Sequence, residues 1–224
     1  MKKTVTKLGD YFFYGFAIFS AVVLIAGFTT PARAVLLDEF GRFLDPKGKL
    51  RATEEFEKKL AIAGIDRATF KPKIKIIKRN RELQVLSSDN VMVAHYPVGL
   101  GRASIGAKQT AKDQKTPEGE YSICKKDENN RYHLFLQITY PSLKDAQYGS
   151  VNNVIQHSEY TKIVDAIKNR EAPPTNTKLG GPIGIHGFGA ESSWTTDGSI
   201  SLHNVHIEEL YWNVENGTPV VIVP

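Results

Sequence analysis

Apolar residues along the chain change their spacing several times, and each change predicts a different element. A nearly unbroken apolar run covers Tyr11 to Phe28. Phe56 and Leu60 then stand one helical turn apart behind Thr53, Glu54 and Glu55, which predicts a short helix capped by Thr53 with acidic residues at the positive end of its dipole. From Lys73 the period drops to two: Ile74 and Ile76, then Leu83 and Val85, alternate with polar residues, and Asn80-Arg81 and Ser87 to Asn90 fall where turns belong. This is the pattern of a β-meander. Val91 to Val98 predicts a further strand, Gly99 to Gly106 a glycine-punctuated loop, and Glu120 to Cys124 and Tyr132 to Ile138 two strands around a polar turn, Lys125 to Arg131. Tyr160, Ile163, Val164 and Ile167 give Glu159 to Asn169 helical spacing, the one convincing helix inside the β region, and Pro173-Pro174 forces an extended connection after it. Ile183 to His186, Ile200 to Leu202 and Pro219 to Val223 close the chain as short apolar strands. The fold class expected is mainly β, with one helical insert and a short helical N-terminal segment.

The first residues do not belong to that pattern. Lys2, Lys3 and Lys7 precede the Tyr11–Phe28 run, and Ala32-Arg33-Ala34 places small residues where a signal peptidase cuts, so residues 1–34 read as a secretory signal peptide. The alternative is an N-terminal membrane anchor giving at most transient membrane association, since the run is near the lower limit for a span. Either way the rest of the chain is expected outside the cytoplasm, in the periplasm or cell envelope. Residues 35–72 then form a short pre-domain segment and 73–224 one domain. Without residues 1–34 the 29 basic and 24 acidic residues become about 25 and 23, so the net charge falls from +5 to about +2. No basic patch remains to argue for nucleic acid. Cys124 is the only cysteine, which excludes an internal disulfide and a cysteine-based zinc site.

Two segments carry candidate chemistry. Gly180-Gly181-Pro182-Ile183-Gly184-Ile185-His186-Gly187 ends a buried strand on a histidine followed by a glycine that lets backbone or substrate approach. Further along, Trp194-Thr195-Thr196-Asp197-Gly198-Ser199-Ile200-Ser201-Leu202-His203-Asn204 uses Gly198 for a sharp turn that presents the Ser199 hydroxyl and backbone N–H at a strand start. A nucleophile needs a base within hydrogen-bond reach and N–H donors aimed at the developing oxyanion. His186 and Ser199 meet the first need by residue type, although many unrelated turns look the same.

Four pieces in order settle the comparison: Thr116-Pro117-Glu118-Gly119-Glu120-Tyr121, the Gly181 to Gly187 strand, the Trp194 to Asn204 segment, and Gly217-Thr218-Pro219-Val220. Together, over roughly Lys73 to Pro224, they resemble the L,D-transpeptidase catalytic domain of peptidoglycan metabolism. Tyr140-Pro141-Ser142 and the Asp145 to Pro174 insert look like its proteobacterial branch. The resemblance implies a β-sandwich-like fold, His186 as general base, Gly187, Gly198 and Ile200 as backbone support for the oxyanion, and Asn204 and Trp194 near substrate. It also implies acyl transfer from a stem tetrapeptide to an amine or water, with peptidoglycan stem peptides as partner, a monomer and no cofactor.

Three positions depart from the family, and one of them decides the chemistry. Ser199 stands where the family has its cysteine nucleophile, Ser201 where many members have arginine, and Asp197 where other branches often have histidine. A cysteine beside a histidine is reactive as thiolate, whereas a serine must lose its proton during attack. The chain therefore admits two readings: an enzyme acting through Ser199, or a catalytically silent domain that binds peptidoglycan or a partner in the same groove. Cys124 is expected as a small buried side chain, not a rival nucleophile. His95, His133, His157, His203 and His206 show no ligand spacing, so no metal is expected; His203 and His206 are expected to begin a surface helix over Ile207 and Leu210. Tyr211-Trp212, like Trp194, suits either groove or core.

Overall fold

The computed structural model describes residues 40–41, 43–103, 105–169, 171–189 and 197–224. The chain divides into two compact units, Met1–Gly48 and Lys49–Pro224. The signal-peptide reading of residues 1–34 lies outside the described residues, and among those described no helix is long and apolar enough to cross a membrane.

In the second unit, α1 (Lys49–Ile62) precedes β1 (Lys73–Ile77), β2 (Glu82–Leu86) and β3 (Met92–Pro97), the meander expected from the period-two pattern. Their apolar residues Ile74, Ile76, Leu83 and Val85 are all buried. Then come β4 (Gly119–Asn130), β5 (His133–Ile138), α2 (Leu143–Val151), α3 (His157–Lys168), β6 (Gly184–His186), β7 (Ile200–Ser201), α4 (Asn204–Asn213) and β8 (Pro219–Val223). The eight strands form one mixed sheet in the order β3-β2-β1-β8-β4-β5-β6-β7. Long β4 joins its halves: Gly119–Ser122 pair with β8, and from Ile123 onward the strand pairs with β5. The two edges meet again where Gly99 and Ser201 exchange backbone hydrogen bonds of 2.9 Å each, which closes the sheet near β7 and leaves less open edge.

Three expectations need correction. Lys125 to Arg131 is strand for most of its length, with Lys126 opposite Leu136 and Asp127 opposite Phe135. Its polarity reflects a hairpin projecting into solvent, where backbone pairing needs no apolar face. The helix begin at Lys49, so Thr53 sits inside it, its hydroxyl bonding back to the Lys49 carbonyl at 2.8 Å. The helix at His203–His206 is not on the surface: α4 buries Ile207, Glu208, Glu209, Leu210, Tyr211 and Asn213.

α1 covers α4. Ala52, Phe56 and Leu60, spaced at helical intervals, bury against the core. Arg51 pairs with Glu208 and Lys59 with Glu209, while the Tyr96 hydroxyl donates to Glu209 at 2.8 Å and Glu208 also meets His133 Nε2 at 2.7 Å. Carboxylates buried in α4 are thus partnered by residues of α1, β3 and β5, as buried charge requires. Phe56→Ala is expected to destabilise the domain by about 3–5 kcal/mol, because the side chain is fully buried and the helix backbone holds the cavity open. Denaturant unfolding monitored by circular dichroism measures it, and a loss below about 1 kcal/mol would mean that α1 is an ornament on the fold.

Candidate functional site

β6 and β7 run parallel, with Ile185 opposite Ile200 and His186 opposite Ser201. Ser199 stands two residues before Ser201, so strand alternation returns it to the face that carries His186. The Ser199 hydroxyl oxygen accepts the Gly184 backbone N–H at 3.3 Å, fixing the turn against the strand that delivers the histidine. His186, Ser199 and Ser201 are all buried.

The imidazole is oriented by backbone. His186 Nδ1 lies 2.7 Å from the Gly187 carbonyl, which makes Nδ1 the protonated nitrogen, and Nε2 has no hydrogen-bond partner among the described residues. Two rings of the neighbouring β4–β5 hairpin stack on it: Tyr132 at 4.5 Å between centroids and Phe135 at 6.3 Å. Burial pushes the His186 pKa down; the Gly187 carbonyl opposes this in part, and Arg131, whose guanidinium lies 4.6 Å over the Tyr132 ring, adds to it. The imidazole is therefore neutral at physiological pH, with a free lone pair on Nε2.

Glycines make the turns possible at two positions. A Cβ on Gly187 would come within 2.6 Å of Asn204 Oδ1 and 2.9 Å of the Tyr132 carbonyl. Gly198 has φ +137°, and a Cβ there would meet the Lys115 carbonyl at 2.4 Å. Gly187 serves the site through its carbonyl, for its N–H is given to the Tyr132 carbonyl at 3.1 Å. Asn204 Oδ1 accepts the Phe188 N–H at 2.9 Å and so ties down the loop after His186. Ile200 lies in β7, buried. Trp194 lies outside the described residues.

Ser199 opens on a cleft of about 830 Å³. The β4–β5 hairpin, with Asp127, Arg131 and Tyr132, forms one wall, and Arg102, Lys108 and Ala111 line the other. The sequence singled out neither wall: the hairpin read as a polar turn, and Lys108 sits in a loop without periodicity. Tyr211 is buried away from the cleft, with Lys126 Nζ 4.6 Å over its ring. Cys124 is half-buried in β4 and lines a separate cavity of about 710 Å³, its Sγ 3.5 Å from the Gln137 carbonyl. Burial pushes its thiol pKa up, away from the reactive thiolate.

One buried histidine, His186, and one half-buried, His206, make stability pH-dependent. Burial lowers the pKa of both His186 and His206. Between those depressed values and the unfolded value of about 6.5, the unfolded chain binds protons that the folded chain refuses. Stability is then expected to fall as pH drops below about 6.5, and His186→Gln to lessen that fall. Thermal melts from pH 7 to about 5 on both proteins test this; equal slopes would remove His186 from the account.

The YkuD L,D-transpeptidase catalytic-domain model matches residues 71–222. YqjB of Bacillus subtilis (strain 168), whose name assigns it provisionally to the L,D-transpeptidases, is 28% identical over 154 residues, covering 67% of this chain and 70% of its own. Among solved structures, Pgp2, a helical cell shape determining protein from Campylobacter jejuni, is 20% identical with TM-score 0.46, over 75% of this chain and 54% of that one. Bd1075 of Bdellovibrio bacteriovorus is also 20% identical, with TM-score 0.44, over 70% and 49%. The chain spans about half the length of these two solved chains.

Proposed function

Since the chain belongs to the YkuD family of L,D-transpeptidase catalytic domains, matched over residues 71–222, we propose that its cleft is an acyl-transfer site for peptidoglycan stem tetrapeptides, with Ser199 as the acylated group and His186 as its base. The observation that carries this reading is the neutral, buried His186 with Nδ1 committed to a carbonyl and Nε2 unpartnered on the strand face that Ser199 shares. As Ser199 Oγ attacks the carbonyl of the diaminoacid residue, its proton passes to Nε2. The C–N bond to terminal D-alanine then breaks, and the departing amine takes the proton from His186. An acceptor amine or a water attacks the ester, gives its proton to Nε2, and releases the acyl group as the Ser199 oxygen regains that proton. Amine gives crosslinking or exchange; water gives carboxypeptidase action. The proposed place of action is the periplasm or cell envelope, reached through residues 1–34.

The second reading, a silent binding domain, draws on the partner of Nδ1: a backbone carbonyl orients the imidazole but does not balance an imidazolium as the acid of a serine triad does. One experiment separates the readings. The protein without residues 1–34 is incubated with disaccharide tetrapeptide, and separately with a carbapenem, and examined by intact-protein mass spectrometry beside Ser199→Ala. An adduct present in the parent and lost in Ser199→Ala is the expected result. Calorimetric binding without any adduct would establish the silent domain, and an adduct that survives in Ser199→Ala would place the chemistry elsewhere.

A further inference from the structure

Lys108 lines the cleft beside Ser199, yet its side chain is only 1% exposed. Its Nζ lies 3.0 Å from Asp113 Oδ1 and donates to the Asp197 carbonyl at 2.7 Å, reaching across 89 residues of sequence to the turn that ends in Ser199. Asp113 is itself held by the backbone N–H groups of Gln109 at 2.6 Å, Thr110 at 2.9 Å and Lys115 at 3.0 Å. Burial alone would raise the Asp113 pKa, but those donors and Lys108 outweigh it and hold the carboxyl below its usual range. The loop is also anchored from behind: Lys78 Nζ bonds the Gly106 and Thr116 carbonyls and Glu118.

From this geometry we infer that Lys108 is a positioning residue for Ser199, a fixed donor that captures the Asp197 carbonyl and so sets the turn Asp197-Gly198-Ser199. The left-handed φ of Gly198 turns the backbone sharply just before the hydroxyl, and the Lys115 carbonyl packs against Gly198 from the same loop. A buried lysine is costly to desolvate, and a rigid Asp113-centred loop is what fixes its donor in place. A displacement of about 1 Å at a reacting atom costs on the order of 100-fold in rate, so losing this bond acts on the chemical step more than on binding. The assignment rests on the reading of Ser199 as the acylated group.

The test uses a chain carrying Cys124→Ala and Ser199→Cys, which has a single thiol at position 199. Two rates are followed with and without Lys108→Met: carbapenem acylation against concentration, and alkylation by iodoacetamide against pH. Lys108→Met is expected to lower the limiting acylation rate by on the order of 10-fold to 100-fold, to leave half-saturation within about threefold, and to move the alkylation profile to higher pH. Asp113 keeps three backbone donors in this variant, so the loop has reason to stay folded. Should Lys108→Met not fold, Lys108→Arg is read in the same way, since it keeps the charge but moves the donors. An unaltered limiting rate, or a loss shared equally with binding, overturns the role. If the Ser199 chain acquires no adduct at all, the acylation reading fails by itself, because alkylation of the introduced thiol still reports on Lys108.

Discussion

Ser199→Cys is expected to raise acylation by tetrapeptide or carbapenem on the order of 100-fold. Three features of the site favour sulfur over oxygen at position 199. His186 is neutral and has its Nε2 lone pair available, so a thiol with an ordinary pKa of about 8.5 can hand over its proton before attack, which a hydroxyl cannot. Among the described residues no carboxylate stands behind the imidazole: Nδ1 is held by the Gly187 carbonyl, an orienting bond that leaves the imidazolium unbalanced. The Gly184 N–H meets Ser199 Oγ at 3.3 Å, long beside the usual N–H···O distance of about 2.9–3.0 Å, and a larger, more diffuse thiolate fits that spacing better. The measurement is the rate of adduct formation by mass spectrometry at several ligand concentrations. An unchanged rate with the fold intact would mean that the site has diverged beyond the exchange of one atom.

The parts of this site that were legible in the sequence are those whose chemistry is local. His186 closes a strand whose apolar residues fix its burial, and Gly198 precedes Ser199 because the turn needs a left-handed backbone, so order and spacing along the chain were enough to mark both. The same holds for β1, β2 and β8, where alternation decides which residues enter the core. The rest depends on contacts between distant segments. Lys126 and Asp127 read as turn residues, because a strand that projects into solvent carries no apolar face; only their pairing with Leu136 and Phe135 shows a strand, of which Asp127 walls the cleft. The helix over Ile207 and Leu210 was expected on the surface, since nothing nearby in sequence announced Arg51 and Lys59 as partners of its Glu208 and Glu209. Lys108 was silent for the same reason: its partner is a backbone carbonyl, which has no residue type to read.

His186→Ala is expected to lower acylation by about 10²- to 10⁴-fold while leaving tetrapeptide binding within a few-fold, the range that a positioned general base contributes. The imidazole acts on a proton that moves only as the Ser199 oxygen attacks, so its removal acts on the transition state. Its ground-state share is small, because Nε2 offers one lone pair and the cleft walls come from Arg102, Lys108, Tyr132 and their neighbours. The substitution also removes a ring stacked on Tyr132 and Phe135, and this lost packing is separated from the lost base by a second variant. His186→Gln controls for this by keeping a polar side chain of similar reach without a base. If both variants lose acylation and keep binding by calorimetry, the base assignment stands. If either retains the parent's rate, the proton goes elsewhere and the role given to Nε2 is wrong. In the Ser199→Cys background the same pair separates two jobs of the imidazole. A thiol that still alkylates at high pH but not near neutrality once His186 is gone shows that the histidine acts by taking the proton. A thiol that fails at every pH shows that it acts by holding the turn.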